Sequence, residues 1–276
     1  MNTRRTPIAL PALLVSLALV ALGGGCKTDV QASGGAGGAG STTSASTTSA
    51  STTSATTSDA SSSTGLPPQC PSPDTDLPME DLGTGADPEA GDFTMDEALA
   101  GLPEGPGPLR AIFDTEKGSI TCELFPESAP KGVANFVGLA RGRRPFKKAS
   151  HWLKGTRFYD GLIFHRVIDD FVAQGGDPLG TGFGGPGYKF ADEIDATKSH
   201  VPGALAYANS GANTNGSQFY MVAEVAADFL DGGYVIFGQC TEVPVIQAIT
   251  EVMTDANDKP VEPIHMTTVT ITRCAP

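Results

Sequence analysis

The residue with the clearest chemical potential is Arg166. It lies in Phe164-His165-Arg166-Val167-Ile168-Asp169-Asp170-Phe171-Val172-Ala173-Gln174-Gly175-Gly176-Asp177. This is a short apolar strand carrying one arginine, then a turn, then more apolar positions with a glutamine, then a Gly-Gly-Asp turn. Phe164, Val167, Ile168, Phe171 and Val172 are apolar enough to be largely buried. An arginine among them must be partnered, because an unsatisfied buried charge is costly. Gln174 is the neighbour expected to hold it. The stretch implies a fixed guanidinium at the edge of an apolar pocket.

Other chemistries find less support. Gly180-Thr181-Gly182-Phe183-Gly184-Gly185 matches the dinucleotide fingerprint in form, but it opens no helix and no βαβ unit surrounds it, so it reads as a glycine loop. His151, His165, His200 and His265 are scattered, and no cysteine pair has ligand spacing, so no metal is expected. No Gly-x-Ser-x-Gly elbow exists, and Ser217 reads as a strand-start residue. The formal net charge of −13 argues against nucleic acid, which needs a basic face.

A second polar, turn-rich stretch runs into an apolar strand: Ala208-Asn209-Ser210-Gly211-Ala212-Asn213-Thr214-Asn215-Gly216-Ser217-Gln218-Phe219-Tyr220. A third is Phe229-Leu230-Asp231-Gly232-Gly233-Tyr234-Val235-Ile236-Phe237-Gly238. In this order the three stretches resemble the cyclophilin family of peptidyl-prolyl isomerases, over roughly residues 108–276. The resemblance implies that Arg166 is the catalytic guanidinium and that Gln174 orients it and contacts substrate. Phe171, Val172, Tyr220 and Leu230 would line a proline pocket. Ala208, Asn209, Ser210 and Gln218 would line the peptide groove, Asn209 bonding through its backbone, with the glycine loop at the groove's border. His165 would pack and hydrogen-bond behind the site. Phe229 stands where the family's cyclosporin-binding tryptophan is usual, Tyr234 where histidine is, Tyr220 where phenylalanine is, and Val172 where methionine is. None of these changes removes the arginine or closes the pocket. No cofactor is implied, and the expected partners of this monomer are proline-containing polypeptides.

The chemistry fits such a site. Amide resonance sets a rotational barrier of ~18–20 kcal/mol. Before proline, cis and trans are close in energy, so slow exchange is a kinetic problem. A catalyst must bind the twisted amide better than either planar form. In that state the prolyl nitrogen regains its lone pair, and a fixed arginine can donate toward it. Lowering the barrier by ~7 kcal/mol would give roughly 10⁵-fold acceleration. A proline-peptide binding module or holdase, with isomerisation incidental, is the alternative function. A surface display protein built around its tether is a third.

The elements that position these residues begin at Leu109. Ala111–Thr115 and Ser119–Phe125 alternate apolar and polar about Lys117-Gly118, a hairpin signal. Ser128-Ala129-Pro130-Lys131 starts a helix, with Val133, Phe136, Val137 and Ala140 on one face. Residues 141–158, with Arg143, Arg144, Lys147, Lys148 and the sole tryptophan Trp152, read as a basic, solvated surface loop. A second helix is expected at Val243–Glu251. Strands around two amphipathic helices suggest a mainly β fold, a closed barrel with a helix at each end; the family resemblance makes it eight-stranded and antiparallel.

Three segments precede this domain. Residues 1–26 read as an export signal: Arg4 and Arg5, an apolar run from Ile8 to Leu22 too short for a span, then Gly23-Gly24-Gly25-Cys26. Cys26 is expected to be lipidated, although Gly23 stands where such boxes usually carry leucine. Ordinary cleavage near the glycines is the alternative. Residues 27–65 are almost entirely Ser, Thr, Gly and Ala, a disordered tether whose ~40 residues span roughly 35 Å. Residues 66–108 are a Pro-rich acidic strap, read as solvated, in which Phe93–Leu102 looks like a short helix with Thr94 and Glu97 at capping-box spacing, expected to dock on the domain that follows. The expected location is the periplasm or outer membrane of a Gram-negative bacterium. Such a chain can pair Cys70, Cys122, Cys240 and Cys274, for which three connectivities exist. Cys122–Cys240 with Cys70–Cys274 is the set expected here, against a reading of Cys122 and Cys240 as small buried thiols.

Overall fold

The computed structural model describes residues 77–90, 93–105 and 107–273. Cys26, the 27–65 tether and the expected Cys70–Cys274 bond lie outside the described residues. In chain order the elements are β1 (Glu80–Thr84), α1 (Met95–Leu99), β2 (Arg110–Thr115), β3 (Gly118–Leu124), α2 (Pro130–Ala140), β4 (Phe146–Lys148), β5 (His151–Lys154), β6 (Arg166–Ile168), β7 (Val172–Gly175), β8 (Ala204–Tyr207), β9 (Phe219–Val222), β10 (Ile236–Cys240), α3 (Val243–Thr250) and β11 (Met266–Thr272). A 3-10 turn covers Asp228–Leu230.

Eight of the strands form one antiparallel sheet in the order β11-β2-β3-β10-β8-β9-β7-β6. The expected closed barrel does not form. The sheet is an open, curled half-barrel with β11 and β6 at its edges. Among the described residues, the bridging near these edges runs through Ile163 opposite His265 and the bonds from Gly161 N–H to the Met266 carbonyl (2.7 Å) and from Met266 N–H to the Leu162 carbonyl (2.7 Å). The Phe164 N–H adds one more bond, to the Ile264 carbonyl (2.9 Å), and the ladder then ends, because β6 is only three residues long and turns at Asp170, whose φ is 57°. The Val167 N–H donates instead to the Asp258 carbonyl (2.8 Å).

The β2–β3 hairpin forms as the alternation implies. Thr115 pairs with Gly118, however, so the turn residues are Glu116 and Lys117 rather than Lys117 and Gly118. Cys122 faces Cys240 across β3 and β10, and the two are joined by a disulfide. Helix α2 opens on Pro130 without a side-chain cap of its own. A distant carboxylate replaces it: Glu193 accepts from the N–H groups of Lys131 (3.1 Å) and Gly132 (2.9 Å), which satisfies orphan donors and matches the helix dipole.

The sheet is apolar on both faces. Along β9, Phe219 and Met221 join the main core, while Tyr220 and Val222 join a second, smaller cluster. Along β8, Leu205 and Tyr207 face the core, while Ala204 and Ala206 face the second cluster. Strict period-two alternation therefore divides one set of strands between two apolar layers.

The described part of the strap and the basic loop are exposed over much of their length, but both are built into the fold. The loop folds into the hairpin β4–β5, and strap residues Glu80–Thr84 add β1 to it, giving a separate three-stranded sheet in the order β1-β5-β4. Trp152 is buried, and its indole N–H donates to the Gly85 carbonyl (3.1 Å). Arg144, only 3% exposed, pairs with strap residue Asp87 at 2.8 Å. Arg141 is buried too and donates to the carbonyls of Ala98 and Ala100 at the end of α1. The capping box of α1 forms as expected between Thr94 and Glu97. Phe93 lies directly on α2 at Gly138, where an added Cβ would come within 2.3 Å of the Phe93 ring. Two of the loop's arginines, Arg141 and Arg144, are thus used to fasten the strap.

Candidate active site

Strand register assembles the site. Arg166 pairs with Gln174, Gln174 with Tyr220, Tyr220 with Ala206, and Ala206 with Ile236. These five positions form one rung across β6, β7, β9, β8 and β10, so their side chains leave the sheet on the same face. The second apolar cluster occupies that face: Val172, Ala204, Ala206, Tyr220, Val222, Ala227 and Ile236, with Phe171, Ala208, Leu230 and Tyr234 packed partly buried against it. Phe171, Val172, Tyr220 and Leu230, expected around a proline ring, are thus brought together, and Tyr234 joins them. Phe229 is 70% exposed and stacks on Phe171 with ring centroids 5.6 Å apart.

Arg166 stands at the rim of this cluster. It is not buried: its side chain is 40% exposed and ion-paired with Asp258 at 3.2 Å. Gln174 is its register neighbour, but the Gln174 amide donates to Gln218 Oε1 (3.0 Å). Gln218 in turn donates to the carbonyls of Gly182 (2.9 Å) and Gly184 (2.8 Å). The two glutamines therefore hold the glycine loop, and the partner that steadies the guanidinium is Asp258.

Beside the apolar cluster lies a groove with a volume of about 730 Å³. Gln174, Gln218, Ala208, Asn209, Ser210 and the 182–189 segment line it, so the expected groove residues share one cleft. The Asn209 side chain is committed to its own loop: its amide donates to Asn215 Oδ1 (3.1 Å), and its Oδ1 accepts from Gly211 N–H (3.2 Å). An incoming peptide would then have to use its backbone. Asp177 anchors the glycine loop through the N–H groups of Leu179 (2.7 Å), Thr181 (2.9 Å) and Gly182 (2.6 Å). Burial alone would push the Asp177 carboxyl up, but the backbone donors outweigh it and hold the group below the usual carboxylate range. Ser217 donates to the Gly176 carbonyl (2.7 Å) and is buried, a structural position as its sequence context implies.

His165 sits behind the site, as expected, but neither ring nitrogen has a hydrogen-bond partner among the described residues. Burial pushes its pKa down, and the nearby Asp177 only partly offsets this. Four participants went unnoticed in the sequence. Asp258 pairs with Arg166. Tyr188 lines the groove and stacks on Trp152 with centroids 6.3 Å apart. Asp231 and His200 form a chain to Tyr220. Each depends on a contact between segments far apart in sequence, and only Asp231, inside the Leu-Asp-Gly motif, carried a local signal.

A sequence profile described as cyclophilin type peptidyl-prolyl cis-trans isomerase/CLD matches residues 110–271. The chain belongs to this family. Peptidyl-prolyl cis-trans isomerase A of Mycobacterium tuberculosis is 46% identical over 167 residues, 58% of this chain and 91% of that protein. Peptidyl-prolyl cis-trans isomerase B of Streptomyces anulatus is 44% identical over 169 residues, 59% of this chain and 96% of that protein. Among solved structures, a cyclophilin type peptidyl-prolyl cis-trans isomerase of Cryptosporidium parvum aligns with a TM-score of 0.51 and 32% identity, covering 59% of this chain and 96% of its own. A second structure of that protein, in the presence of the dipeptide Ala-Pro, aligns with the same TM-score at 31% identity, covering 59% of this chain and 98% of its own. The cyclophilin match begins at β2, so β1 and α1 lie outside it.

Proposed function

We propose that Arg166 is the electrostatic catalyst of a prolyl isomerase that acts on proteins folding outside the cytoplasm. Isomerase activity follows from membership of the family, and the assignment to residues rests on the rung described above. The observation that carries it is a half-exposed guanidinium at the rim of an apolar cluster that includes Tyr220, with a peptide-sized groove alongside. Phe171, Val172, Tyr220 and Leu230 hold the proline ring by apolar contact. Gln174, Gln218 and the backbone of Asn209 receive the preceding residues in the groove, with Ala208 and Ser210 at its wall. The acyl side then turns while the ring stays fixed. As the amide twists, the prolyl nitrogen becomes pyramidal and basic, and Arg166 donates to it. Arginine suits this task because its charge is permanent, so no proton has to be gained or lost.

The rest of the reading comes from the sequence. An export signal ending at Cys26 and a tether over residues 27–65 are those of a lipid-anchored protein of the periplasm or outer membrane. Its partners there are proline-containing segments of exported proteins, and it works as a monomer.

The test is NMR exchange of a short Xaa-Pro peptide with the full chain and its Arg166→Ala variant. Fast exchange lost by at least 100-fold in a folded variant is the expected result. Peptide binding without acceleration by the unmutated protein would leave a proline-peptide binding module instead.

A further inference from the structure

Behind the proline pocket runs a chain of short hydrogen bonds. The Tyr220 hydroxyl lies 2.8 Å from His200 Nε2, and His200 Nδ1 lies 2.6 Å from Asp231 Oδ1. His200 is fully buried, and Tyr220 nearly so. Asp231 is fixed from two more sides: the His200 N–H donates to Oδ1 (2.8 Å), and Ser199 Oγ–H donates to Oδ2 (2.5 Å). These donors, with Ser199 and the His200 ring foremost, lower the Asp231 carboxyl to about 2. An ionised carboxylate can only accept, so Nδ1 carries the imidazole proton. Nε2 is then left to share a hydrogen bond with the neutral Tyr220 hydroxyl. Burial holds the Tyr220 phenol neutral, as this requires.

The chain joins two separate parts of the pocket wall. Tyr220 is on β9, whereas Asp231 lies between Leu230 and Tyr234 on the segment that follows the 3-10 turn. The Tyr220 ring lies nearly parallel to His200 at 5.8 Å, and Tyr234 packs edge-on against both. The Ala227 N–H, just before the turn, donates to the His200 carbonyl (2.8 Å). His200 is thus tied to both walls.

We infer that His200 and Asp231 are positioning residues of the isomerase site, locking Tyr220 and the Leu230–Tyr234 segment into one rigid wall against the proline ring. This rests on the reading of Tyr220 as a pocket residue. A wall that yields would let the ring turn with the peptide, so twisting would no longer be resisted at one end. The loss falls on kcat more than on KM, because the planar substrate tolerates a loose wall better than the twisted one.

The experiment is a double-mutant cycle on the full chain, with exchange of the same Xaa-Pro peptide as readout and circular dichroism to confirm folding. Asp231→Ala should lower kcat about tenfold with KM changed less than twofold, and Asp231→Asn, which keeps an acceptor for Nδ1–H, should recover at least half of the activity. In a Tyr220→Phe background, Asp231→Ala should cost less than twofold more, because the link is already cut. An equal tenfold loss in both backgrounds, or no loss in either, overturns the inference. Should Asp231→Ala not fold, imidazole ¹⁵N shifts of the unmutated protein decide. A His200 ring protonated at Nδ1 whose Nε2 shift is perturbed by Tyr220→Phe supports the inference, and a ring without a proton on Nδ1 overturns it. Loss of activity in Arg166→Ala alongside a failed cycle would refute this inference alone. Retained activity in Arg166→Ala would refute the site assignment itself.

Discussion

Removing the Asp87 carboxylate is the sharpest test of whether the strap is part of the folded domain. Asp87→Ala leaves the Arg144 guanidinium in place, 3% exposed, with Nε and Nη1 already lacking hydrogen-bond partners among the described residues. The cation stays between Tyr188, 4.1 Å from that ring's centroid, and Phe93 at 5.2 Å. Those contacts contribute roughly 2 kcal/mol when desolvated, too little to replace a counter-ion. Breaking a buried pair from one side typically costs about 3–5 kcal/mol. The strap can peel away to rehydrate the arginine, so the lower end, about 3 kcal/mol, is the expected loss. For a domain of this size that is a fall in Tm of about 6–12 °C. A solvated surface pair would cost about 0–1 kcal/mol, so the two descriptions of the strap differ several-fold.

The reciprocal change should be milder. Arg144→Met retains most of the volume and removes the charge, and Asp87, 15% exposed, can turn toward water. About 1–2 kcal/mol is expected, and the double variant should lie near Arg144→Met rather than at the sum of the two. Thermal unfolding followed by circular dichroism measures all three. Amide exchange over residues 182–189 supplies a second readout, because Tyr188 and the Lys147 N–H bond to the Pro186 carbonyl (2.8 Å) link this region to the groove. A Tm for Asp87→Ala within 2 °C of the unmutated protein would refute the reasoning.

Reduction of Cys122–Cys240, whose sulfurs close a loop with a sequence separation of 118, should cost about 4–5 kcal/mol on the chain-entropy account. An unchanged urea midpoint with and without dithiothreitol would contradict that. Asp177 has a lowered pKa in the fold, so the stability it lends the glycine loop is present above its ordinary value near ~4 and is lost as pH falls through the lowered one. Exchange protection at Leu179, Thr181 and Gly182, corrected for intrinsic rates, should therefore hold from pH 7 to about 4 and fall below it; a loss already complete at pH 6 would assign it to another group. Asp177→Asn should loosen the same amides at neutral pH.

Local chemistry was legible where neighbours in sequence are neighbours in space. The capping box at Thr94 and Glu97, the β2–β3 hairpin, proline at the start of α2, and α3 all form where their residues imply. The strap shows the opposite case. Glu80-Asp81-Leu82-Gly83-Thr84 has neither β propensity nor alternation, and it becomes a strand because β5 offers an edge. Arg141 and Arg144 looked like solvated charges because their acceptors, the α1 carbonyls and Asp87, lie some forty to sixty positions away. The same limit applied at the site. The rung from Arg166 to Ile236 was hidden because β8 and β9 are buried on both faces, so no polar residue marks their alternation. Barrel closure was overestimated because strand count says nothing of whether the two edge strands are long enough to meet.

The pairing of Arg166 explains why exposure suits this guanidinium better than the burial its apolar neighbours implied. A buried arginine must have its donors saturated, and donors committed to the fold cannot follow a nitrogen that becomes basic only as the amide twists. Arg166 instead holds an ion pair in which both side chains are close to half exposed, 40% and 45%. Such a pair contributes only about 0–1 kcal/mol, so sharing it with a substrate costs little. The geometry is still constrained, because Asp258 sits at φ 61° in a turn whose carbonyl accepts from Val167, the residue next to Arg166. In the proposed mechanism the fixed part of the site is the apolar wall that would grip the ring. The adjustable part is then the cation that would answer the nitrogen, and the catalytic task would divide in the same way.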